Sequence, residues 1–275
     1  MARLLGRNDS GKEMSFMGHL EELRWHLVRS VSAITIIATV LFFYKDFLFD
    51  DVLLAPKNQN FLTYRLLCSL SHWLDLGDSL CIQAMPFSLI SIELSAQFTT
   101  HMWVAFIGGL IVSSPYVLWE TWLFIKPALY EKERKYARGI VFYTSALFLT
   151  GVLFGYYIIT PMSVNFLGSY QVSEEVKNTI SLDSFISTVT TLSLLTGLVF
   201  ELPIVIYFLT KIGIMSPKFM RTYRRHAIVV ILILAAVITP TSDATTMMLV
   251  AMPLYVLYEL SIIVSARVIK NKSKE

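Results

Sequence analysis

The sequence predicts an all-α integral membrane protein, built as one domain over residues 1–275 with six transmembrane helices. Its residues are 55% hydrophobic and only 16% charged, whereas soluble domains average about 45–50% apolar and about 25% charged residues. The apolar residues fall into blocks close to the roughly 20 residues with which a helix crosses about 30 Å of hydrocarbon. Lysine and arginine are concentrated between alternate blocks. We expect helices rather than strands because backbone groups in lipid must find their hydrogen bonds within one segment.

Six apolar blocks define the spans along the chain. They cover about residues 27–44, 96–119, 139–160, 187–210, 226–239 and 246–266. The segment before the first block contains no apolar run of the kind that a cleaved secretory signal needs, so we expect the first span to be retained. The fifth block would be only about 21 Å long as a helix. We therefore expect a thinner bilayer or an aqueous recess beside the last two spans.

The positive charges indicate which way the spans run. Six spans place both termini on one side, together with the loops after the second and fourth spans. All but four of the 23 lysines and arginines fall on that side, the exceptions being Lys45, Lys57, Arg65 and Lys177. Because positively charged loops stay in the cytoplasm, both termini are predicted to lie inside. The small net charge of +3 gives no reason to expect a nucleic-acid partner.

The predicted first outer loop, residues 45–95, contains both cysteines of the chain, Cys68 and Cys81. The outer face of a bacterial membrane is oxidising, so the two residues could form a disulfide. Closing a loop of this length would contribute about 3 kcal/mol. Two separate thiols are the alternative.

The sequence contains none of the short motifs that mark common catalytic or cofactor sites. It has no HExxH, no P-loop, no GxSxG and no glycine-rich dinucleotide turn. Its five histidines are scattered, and no two of them stand four residues apart. We therefore expect no metal site and no cofactor. For His101, which falls well inside a span, a polar contact between helices is the favoured interpretation.

One carboxylate, Glu201, stands near the middle of an apolar run in the fourth span. A charge at that depth costs from about 2.5 to more than 10 kcal/mol, so it normally faces protein or water. Thr190, Gly197 and Glu201 share one side of the helix, and Pro203 should kink it by removing a backbone donor. We interpret this side as a polar, concave surface. The alternative is a protonated glutamate that bonds a neighbouring helix.

Further acids lie close to the predicted inner ends of the spans. Glu22 shares a helical face with His26 and Arg29, and Glu131 and Glu133 lie in the loop after the second span. Each of these glutamates has basic neighbours. A binding role and simple ion pairing are therefore both open.

Two acids near the last two spans have simpler interpretations. For Glu259, an ion pair or hydrogen bond near the inner surface is favoured. For Asp243, at the tip between the two spans, capping of the last helix and a functional role are equally open.

Four ordered motifs resemble one known family, the TatC proteins, which are the multispanning receptor subunits of the twin-arginine protein translocase. The segment HLEELRWHL (19–27) resembles the family's HLxELRxR. SSPYVLWETWLFIKPALYEKER (113–134) resembles the passage from its second span into its first cytoplasmic loop, and VFELP (199–203) matches its FExP. TPTSD (239–243) and AMPLYVLYE (251–259) resemble its last hairpin and sixth span. Together the motifs run in order through nearly the whole chain.

The resemblance implies a concave, cup-shaped bundle and a role in transport rather than catalysis. Such a protein binds the twin-arginine signal peptides of folded cargo proteins. It assembles with small single-span subunits of the TatA and TatB type and with further copies of itself, and the proton-motive force drives transport. The implied location is the bacterial cytoplasmic (inner) membrane, within its lipid bilayer.

The resemblance also implies roles for individual residues. Glu22 and Glu133 would bind the two arginines, since a carboxylate holds a guanidinium group in bidentate geometry. Arg24 and Phe124 would lie near this patch, Glu201 and Pro203 would line an intramembrane groove, and Pro56 and Asp243 would act on the outer side.

The chain departs from the family pattern at three positions. His26 stands where the first motif has its second arginine. Ala244 and Met247 stand where a proline and a glutamine usually follow the hairpin aspartate. Contacts with partner subunits around Met247 are therefore expected to differ.

Two other functions fit a multispanning bundle with a buried acid. A proton-coupled small-solute transporter would also use a mid-span glutamate, but such proteins often contain inverted repeats, and the sequence has no sustained repeat. A passive scaffold would collect single-span helices without binding a signal peptide. Crosslinking of a signal peptide through the predicted acids separates the three functions.

Overall fold

The computed structural model of the chain describes residues 16–75, 77–78, 81, 87–125, 137–173, 175, 178–239 and 244–272. These ranges are mostly helical. The helices are α1 (Phe16–Phe43), α2 (Leu62–Trp73), α3 (Ala96–Ile125), α4 (Ala137–Phe154), α5 (Thr160–Ser169), α6 (Leu182–Phe200), α7 (Leu202–Lys211), α8 (Pro217–Thr222), α9 (Arg224–Ile238) and α10 (Ala244–Lys272). Short helical turns at Phe47–Leu53, Ala55–Lys57 and Gly155–Ile159 and two strands, β1 (Ser88–Ile90) and β2 (Thr179–Ser181), are also present.

Five helical segments are long and apolar enough to cross a membrane. They are Leu20–Phe43, Ala96–Ile125, Gly139–Ser169, Leu182–Lys211 and Thr246–Lys270. Each overlaps one of the predicted spans, and all five are longer than predicted. The hydropathy signal ends with the hydrocarbon core of about 30 Å, whereas a helix can continue through the headgroup layers, which bring the bilayer to about 40–45 Å.

The remaining predicted span, 226–239, falls in α9. This helix has 15 residues and would be about 22 Å long. Its residues Ile231, Ala235 and Ile238 are buried in one core cluster with Val250 of α10. The helix is thus an integral part of the bundle, while its crossing of the bilayer stays a prediction.

The fourth span is interrupted at Glu201, between α6 and α7. Pro203 lies in the first turn of α7, where a missing backbone donor is tolerated. Glu201 keeps a helical backbone with φ −75° and ψ −9°, and the N–H of Val205 donates to its carbonyl at 3.1 Å. The helix is therefore interrupted for one residue close to Pro203 and resumes directly after it, while the kink itself stays a prediction.

The third and fourth spans cross closely because glycines lie at their contact. A Cβ atom at Gly155 would lie 2.9 Å from the carbonyl oxygen of Leu192, and one at Gly197 would lie 2.6 Å from Cγ2 of Val152. Small residues permit this approach in a membrane, where packing contacts rather than hydrophobic burial hold helices together.

This crossing corrects the interpretation of Thr190 and Gly197 as parts of an open polar surface. Both residues are buried, and the Thr190 hydroxyl donates to the carbonyl of Ile186 at 2.9 Å. Ser193 and Thr196 bond carbonyls of the same helix in the same way. A hydroxyl in a helix can satisfy itself on the preceding turn, so a row of such residues does not require water.

The long loop between α1 and α3 packs onto the spans. Leu48, Leu53 and Phe87 of this loop form a buried cluster with Val104 and Ile186 from two spans. The strands β1 and β2 pair in parallel and join this loop to the segment before α6. The loop is also closed on itself by a disulfide between its two cysteines, whose Cα atoms are 4.3 Å apart.

Candidate functional site

A buried acid links the first two spans near the start of α1 and the end of α3. Glu120 is 4% exposed, and its Oε2 atom lies 2.5 Å from Nδ1 of His26. The hydroxyl of Tyr116 donates to its Oε1 atom at 2.7 Å, and Nη1 of Arg29 lies 3.9 Å from Oε2. A buried carboxylate is tolerated when hydrogen bonds and nearby positive groups compensate for its lost hydration. Both oxygens of Glu120 are therefore satisfied within the protein.

An open depression lies beside this acid on the surface of α1. It has a volume of about 480 Å³ and is lined by Glu22, Trp25, His26 and Arg29. Glu22 and His26 are half-buried, whereas Trp25 and Arg29 are exposed. The depression thus combines a carboxylate with a large aromatic surface at an accessible end of the helix.

The structure brings together some of the residues that the sequence singled out for this patch. Glu22 and His26 line the depression, and the ring of Phe124 makes an edge contact with the imidazole of His26 at 6.3 Å between centroids. Arg24 is exposed and is not among the residues that line the depression. Glu133 lies outside the described residues, so its distance from Glu22 stays a prediction.

Glu120 was not predicted as a site residue from the sequence, although it lies within the family-like segment 113–134. Its partner His26 is 94 positions away along the chain, and no local spacing relates the two. A signal was nevertheless present, since an acid inside an apolar span needs a partner and His26 departs from the family motif.

Glu201 lies at the junction of α6 and α7 and is half-buried. Its Oε1 atom is buried and has no hydrogen-bond partner among the residues that the structure describes. An unsatisfied polar atom costs about 1–3 kcal/mol, and more when it is charged. The position therefore needs a proton, a water molecule or a group from another molecule.

Glu259 has the role that the sequence favoured. Nη2 of Arg224 donates to its Oε2 atom at 2.8 Å, and the hydroxyl of Tyr255 donates to its Oε1 atom at 3.1 Å. The ion pair connects α9 with α10. Asp243, which precedes α10, lies outside the described residues.

Two residues with expected roles in transport or in partner contacts, Pro56 and Met247, pack against other parts of the chain. Pro56 is buried, and its carbonyl accepts a hydrogen bond from the hydroxyl of Tyr64 at 2.7 Å. Burial also raises the pKa of that hydroxyl above its ordinary value. Met247 is half-buried and packs against the cluster around Ile231.

Two of the scattered histidines have defined surroundings. His101 stacks on Phe42 with ring centroids 4.1 Å apart, and its buried Nε2 atom has no hydrogen-bond partner in the described part of the chain. A polar contact was predicted for His101, but its contact between α1 and α3 is an aromatic stack.

His72 lies near Cys68 and Cys81, and the three could approach one metal ion, but the disulfide occupies both sulfur atoms.

Comparison with known proteins gives a consistent family. Residues 18–253 match the family model described as Sec-independent protein translocase protein (TatC). A TatC protein of Blattabacterium sp. subsp. Periplaneta americana is 41% identical over 94% of this chain and 98% of its own length. The TatC protein of Koribacter versatilis is 34% identical over 91% and 84% of the two chains, and TatCy of Bacillus subtilis is 31% identical over 95% and 92%.

Two solved structures of TatC proteins are also similar to this chain. A crystal structure described as the twin-arginine translocase receptor TatC is 28% identical, covers 91% of this chain and 99% of its own, and superimposes with a TM-score of 0.65. A second crystal structure of such a receptor, in DDM, is 29% identical over 89% and 98% of the two chains, with a TM-score of 0.66. The motifs, the helical membrane bundle and these matches agree, and the chain belongs to the TatC family of Sec-independent protein translocase proteins.

Proposed function

We propose that this chain receives twin-arginine signal peptides and forms the core of a translocase that moves folded proteins across a membrane. The family supports the general function, and its relatives are protein translocase subunits rather than the small-solute transporters considered as the alternative. The observation that carries the site is the open depression on α1. There, Glu22 lines the opening together with His26, whose imidazole is bonded to the buried acid Glu120.

The two acids have different tasks in this proposal. Both oxygens of Glu120 are bonded inside the bundle, so this residue positions α1 against α3. Glu22 lines the opening, where its carboxylate can accept a charge-assisted N–H bond from a visiting guanidinium group. Trp25 is 58% exposed at the same opening, and its indole face suits a guanidinium group by cation–π attraction.

The second arginine is assigned to Glu133. This residue follows the end of α3 at Ile125 by a short stretch of chain. The bond between His26 and Glu120 and the contact between His26 and Phe124 hold the end of α3 beside the face of α1 that carries Glu22. This arrangement favours two carboxylates at one end of the bundle, one for each arginine.

The apolar part of the signal peptide is proposed to pass beside Glu201. The unpartnered oxygen of this residue favours a site that is completed by an incoming polypeptide or by water that enters with it. Pro203 supports the site by allowing the helix to break at Glu201. The protein acts here as a binding and guiding surface, with no chemical step of its own.

The proposed topology has six spans in a cup-shaped bundle, with both termini in the cytoplasm and the bundle in the inner membrane of a bacterium. The distribution of lysine and arginine supports this orientation, and α9 supplies the sixth crossing. Single-span subunits of the TatA and TatB type and further copies of the chain are the proposed partners. Asp243 and Met247 are proposed partner contacts, and Pro56 would affect transport through the loop that it helps to hold.

Photocrosslinking from a signal peptide tests the site. A twin-arginine peptide with a photoreactive residue next to its arginine pair should crosslink to the wild-type protein and to Glu21→Gln, but only weakly to Glu22→Gln. Glu21 is a matched control because it is the neighbouring acid, is exposed, and lies outside the depression. Equal crosslinking of all three proteins would refute the assignment of Glu22.

Export of a folded reporter tests the function independently of the site. Cells that lack their own TatC, but have the single-span subunits from the same source as this chain, should export a reporter with a twin-arginine signal when the chain is supplied. The same reporter with two lysines is the control. Failure to export the twin-arginine reporter, with the protein present in the membrane, would contradict the proposed function.

A further inference from the structure

Helix α2 in the long loop presents an apolar stripe that the rest of the chain does not cover. Leu62, Leu66, Leu70 and Trp73 are 50%, 60%, 45% and 79% exposed. Residues at these spacings lie on one side of a helix. Large apolar side chains are common singly on a protein surface, whereas a contiguous row of them marks a contact with another phase or molecule.

The stripe is separate from the side by which α2 packs on the protein. Tyr64 and Ser71 are 2% and 0% exposed and lie on the opposite side of the helix. Arg65, Ser69 and His72 are exposed and form a third, polar side. Helix α2 therefore has a packing side, a polar side and an apolar side, and the last of these has no partner among the described residues.

The start of α2 is fixed to the third span at a definite depth. The hydroxyl of Thr63 donates to the carbonyl of Tyr157, and Phe61 stacks on the ring of Tyr157 with centroids 5.5 Å apart. The third span begins at Gly139, and Tyr157 lies about 27 Å further along a helix. The hydrocarbon core is about 30 Å thick, so α2 begins near the membrane surface on the side opposite Gly139.

The C-terminal half of α2 is held by two bonds that lie away from the apolar stripe. The disulfide joins Cys68 to Cys81, and the hydroxyl of Ser71 donates to the carbonyl of Gly77 at 2.6 Å. Neither contact involves the apolar stripe. The two bonds thus fix the orientation of α2 while the stripe remains accessible.

We propose that α2 is an interfacial helix whose apolar stripe inserts into the lipid of the leaflet on its own side of the membrane. Its depth, its apolar and polar sides and its orientation together favour lipid over water. An amphipathic helix at this depth buries its apolar side at the boundary between headgroups and acyl chains and leaves its polar side in water. Trp73, at the end of the stripe, is of the residue type enriched at that boundary. The inference does not depend on the proposed signal-peptide site.

Fluorescent labelling in vesicles tests the proposal. The environment-sensitive dye NBD is attached at Leu66→Cys or, as matched control, at Arg65→Cys, the adjacent exposed residue on the polar side. Both native cysteines remain in their disulfide and do not react, which the mass of each labelled protein verifies as one dye per chain. Each protein is reconstituted at low density in vesicles of phosphatidylethanolamine and phosphatidylglycerol.

Quenchers in the two phases then report on the dye. We expect the dye at residue 66 to be quenched by nitroxide-labelled lipid and protected from aqueous iodide, and the dye at residue 65 to show the reverse. Equal iodide quenching at both positions would place the stripe in water and overturn the proposal. Protection of residue 66 from both quenchers would indicate a protein contact, such as a second copy, and would also overturn it. Leu70→Cys with Ser69→Cys repeats the comparison one turn further along, in case the first variant does not fold.

Discussion

Glu120 receives its partners from two helices, and this makes it a structural centre of the proposed receptor site. His26 and Arg29 approach it from α1, and Tyr116 approaches from its own helix, α3. The acid is buried while Glu22 lines the open depression. Removal of Glu120 would leave two hydrogen-bonding groups without their acceptor at the contact between the first two spans.

Substitution of Glu120 should therefore destabilise the fold. Any loss of signal-peptide binding should follow from that loss of stability. Glu120→Ala should reduce the free energy of unfolding by about 1–3 kcal/mol, because unpaired buried polar groups carry that cost. Glu120→Gln keeps the shape and one acceptor and should lose less. Unfolding in detergent measures the effect, with Thr121→Ala at the exposed neighbouring position as control. A Glu120→Ala protein as stable as that control would contradict the structural role.

Glu201 should be needed for transport rather than for recognition. Glu201→Gln removes the charge at nearly constant volume, so export of a twin-arginine reporter should fall about tenfold or more while the signal peptide still crosslinks. The reason is that the unpartnered carboxylate oxygen is expected to meet the passing polypeptide. Asp183→Asn, an exposed acid in the first turn of α6, is the control. Normal export by Glu201→Gln would reduce Glu201 to a packing residue.

At the level of single residues, the sequence predicted some contacts correctly and missed others. The ion pair of Glu259 could be anticipated because an acid near a membrane surface usually finds a basic partner. The pair His26–Glu120 could not, because its members are far apart in the chain and meet only when α1 and α3 pack. The side of α6 that carries Thr190 was misjudged for a related reason, since its hydroxyl bonds its own helix.

The helices pack at positions where side chains are absent or small. At Gly155, a Cβ atom would come within 2.9 Å of the carbonyl of Leu192 and of Cα of Ser193, and both of these are backbone atoms. In the same span, a Cβ atom at Gly139 would meet nothing within 4 Å. The two glycines thus have different structural requirements within one span.

Replacement by alanine should affect the glycine at the close contact, Gly155, and not the glycine in open space, Gly139. Gly155→Ala should lower the free energy of unfolding by about 1–3 kcal/mol, since the backbone of the fourth span must move to admit the methyl group. Gly139→Ala should leave stability unchanged or raise it, by at most about 1 kcal/mol, because alanine is the better helix former. Unfolding in the same detergent measures both variants. Equal changes in the two proteins would show that the crossing does not depend on Gly155.

At the level of elements, the sequence predicted the five long spans because lipid imposes both their length and their apolar composition. Most of the predicted spans end too early at their C-terminal side, because the apolar composition stops at the edge of the hydrocarbon core while the helix continues. The break in the fourth span was predictable from Pro203. The arrangement of α2 was not, because its orientation depends on contacts with the third span and on the disulfide.

The whole molecule carries its polar features at three depths. The proposed receptor surface lies at the start of α1 and the end of α3, Glu201 lies within the fourth span, and α2 is proposed to lie at the membrane surface opposite Gly139. The order of the sequence motifs predicted the family and the general function. It could not give the shape of the receptor surface, since that shape arises where helices distant in sequence meet.

The affinity of the protein for a signal peptide tests the central claim most directly. A fluorescent twin-arginine peptide is titrated with the protein in lipid nanodiscs, using the wild type, Glu22→Gln and the control Glu21→Gln, and a twin-lysine peptide is titrated in parallel. We expect Glu22→Gln to weaken binding about tenfold or more, as the loss of a charged hydrogen bond of about 1.5–3 kcal/mol requires, and Glu21→Gln to bind like the wild type. The wild type should also prefer two arginines to two lysines. Unchanged affinity in Glu22→Gln, or equal affinity for the two peptides, would contradict the account.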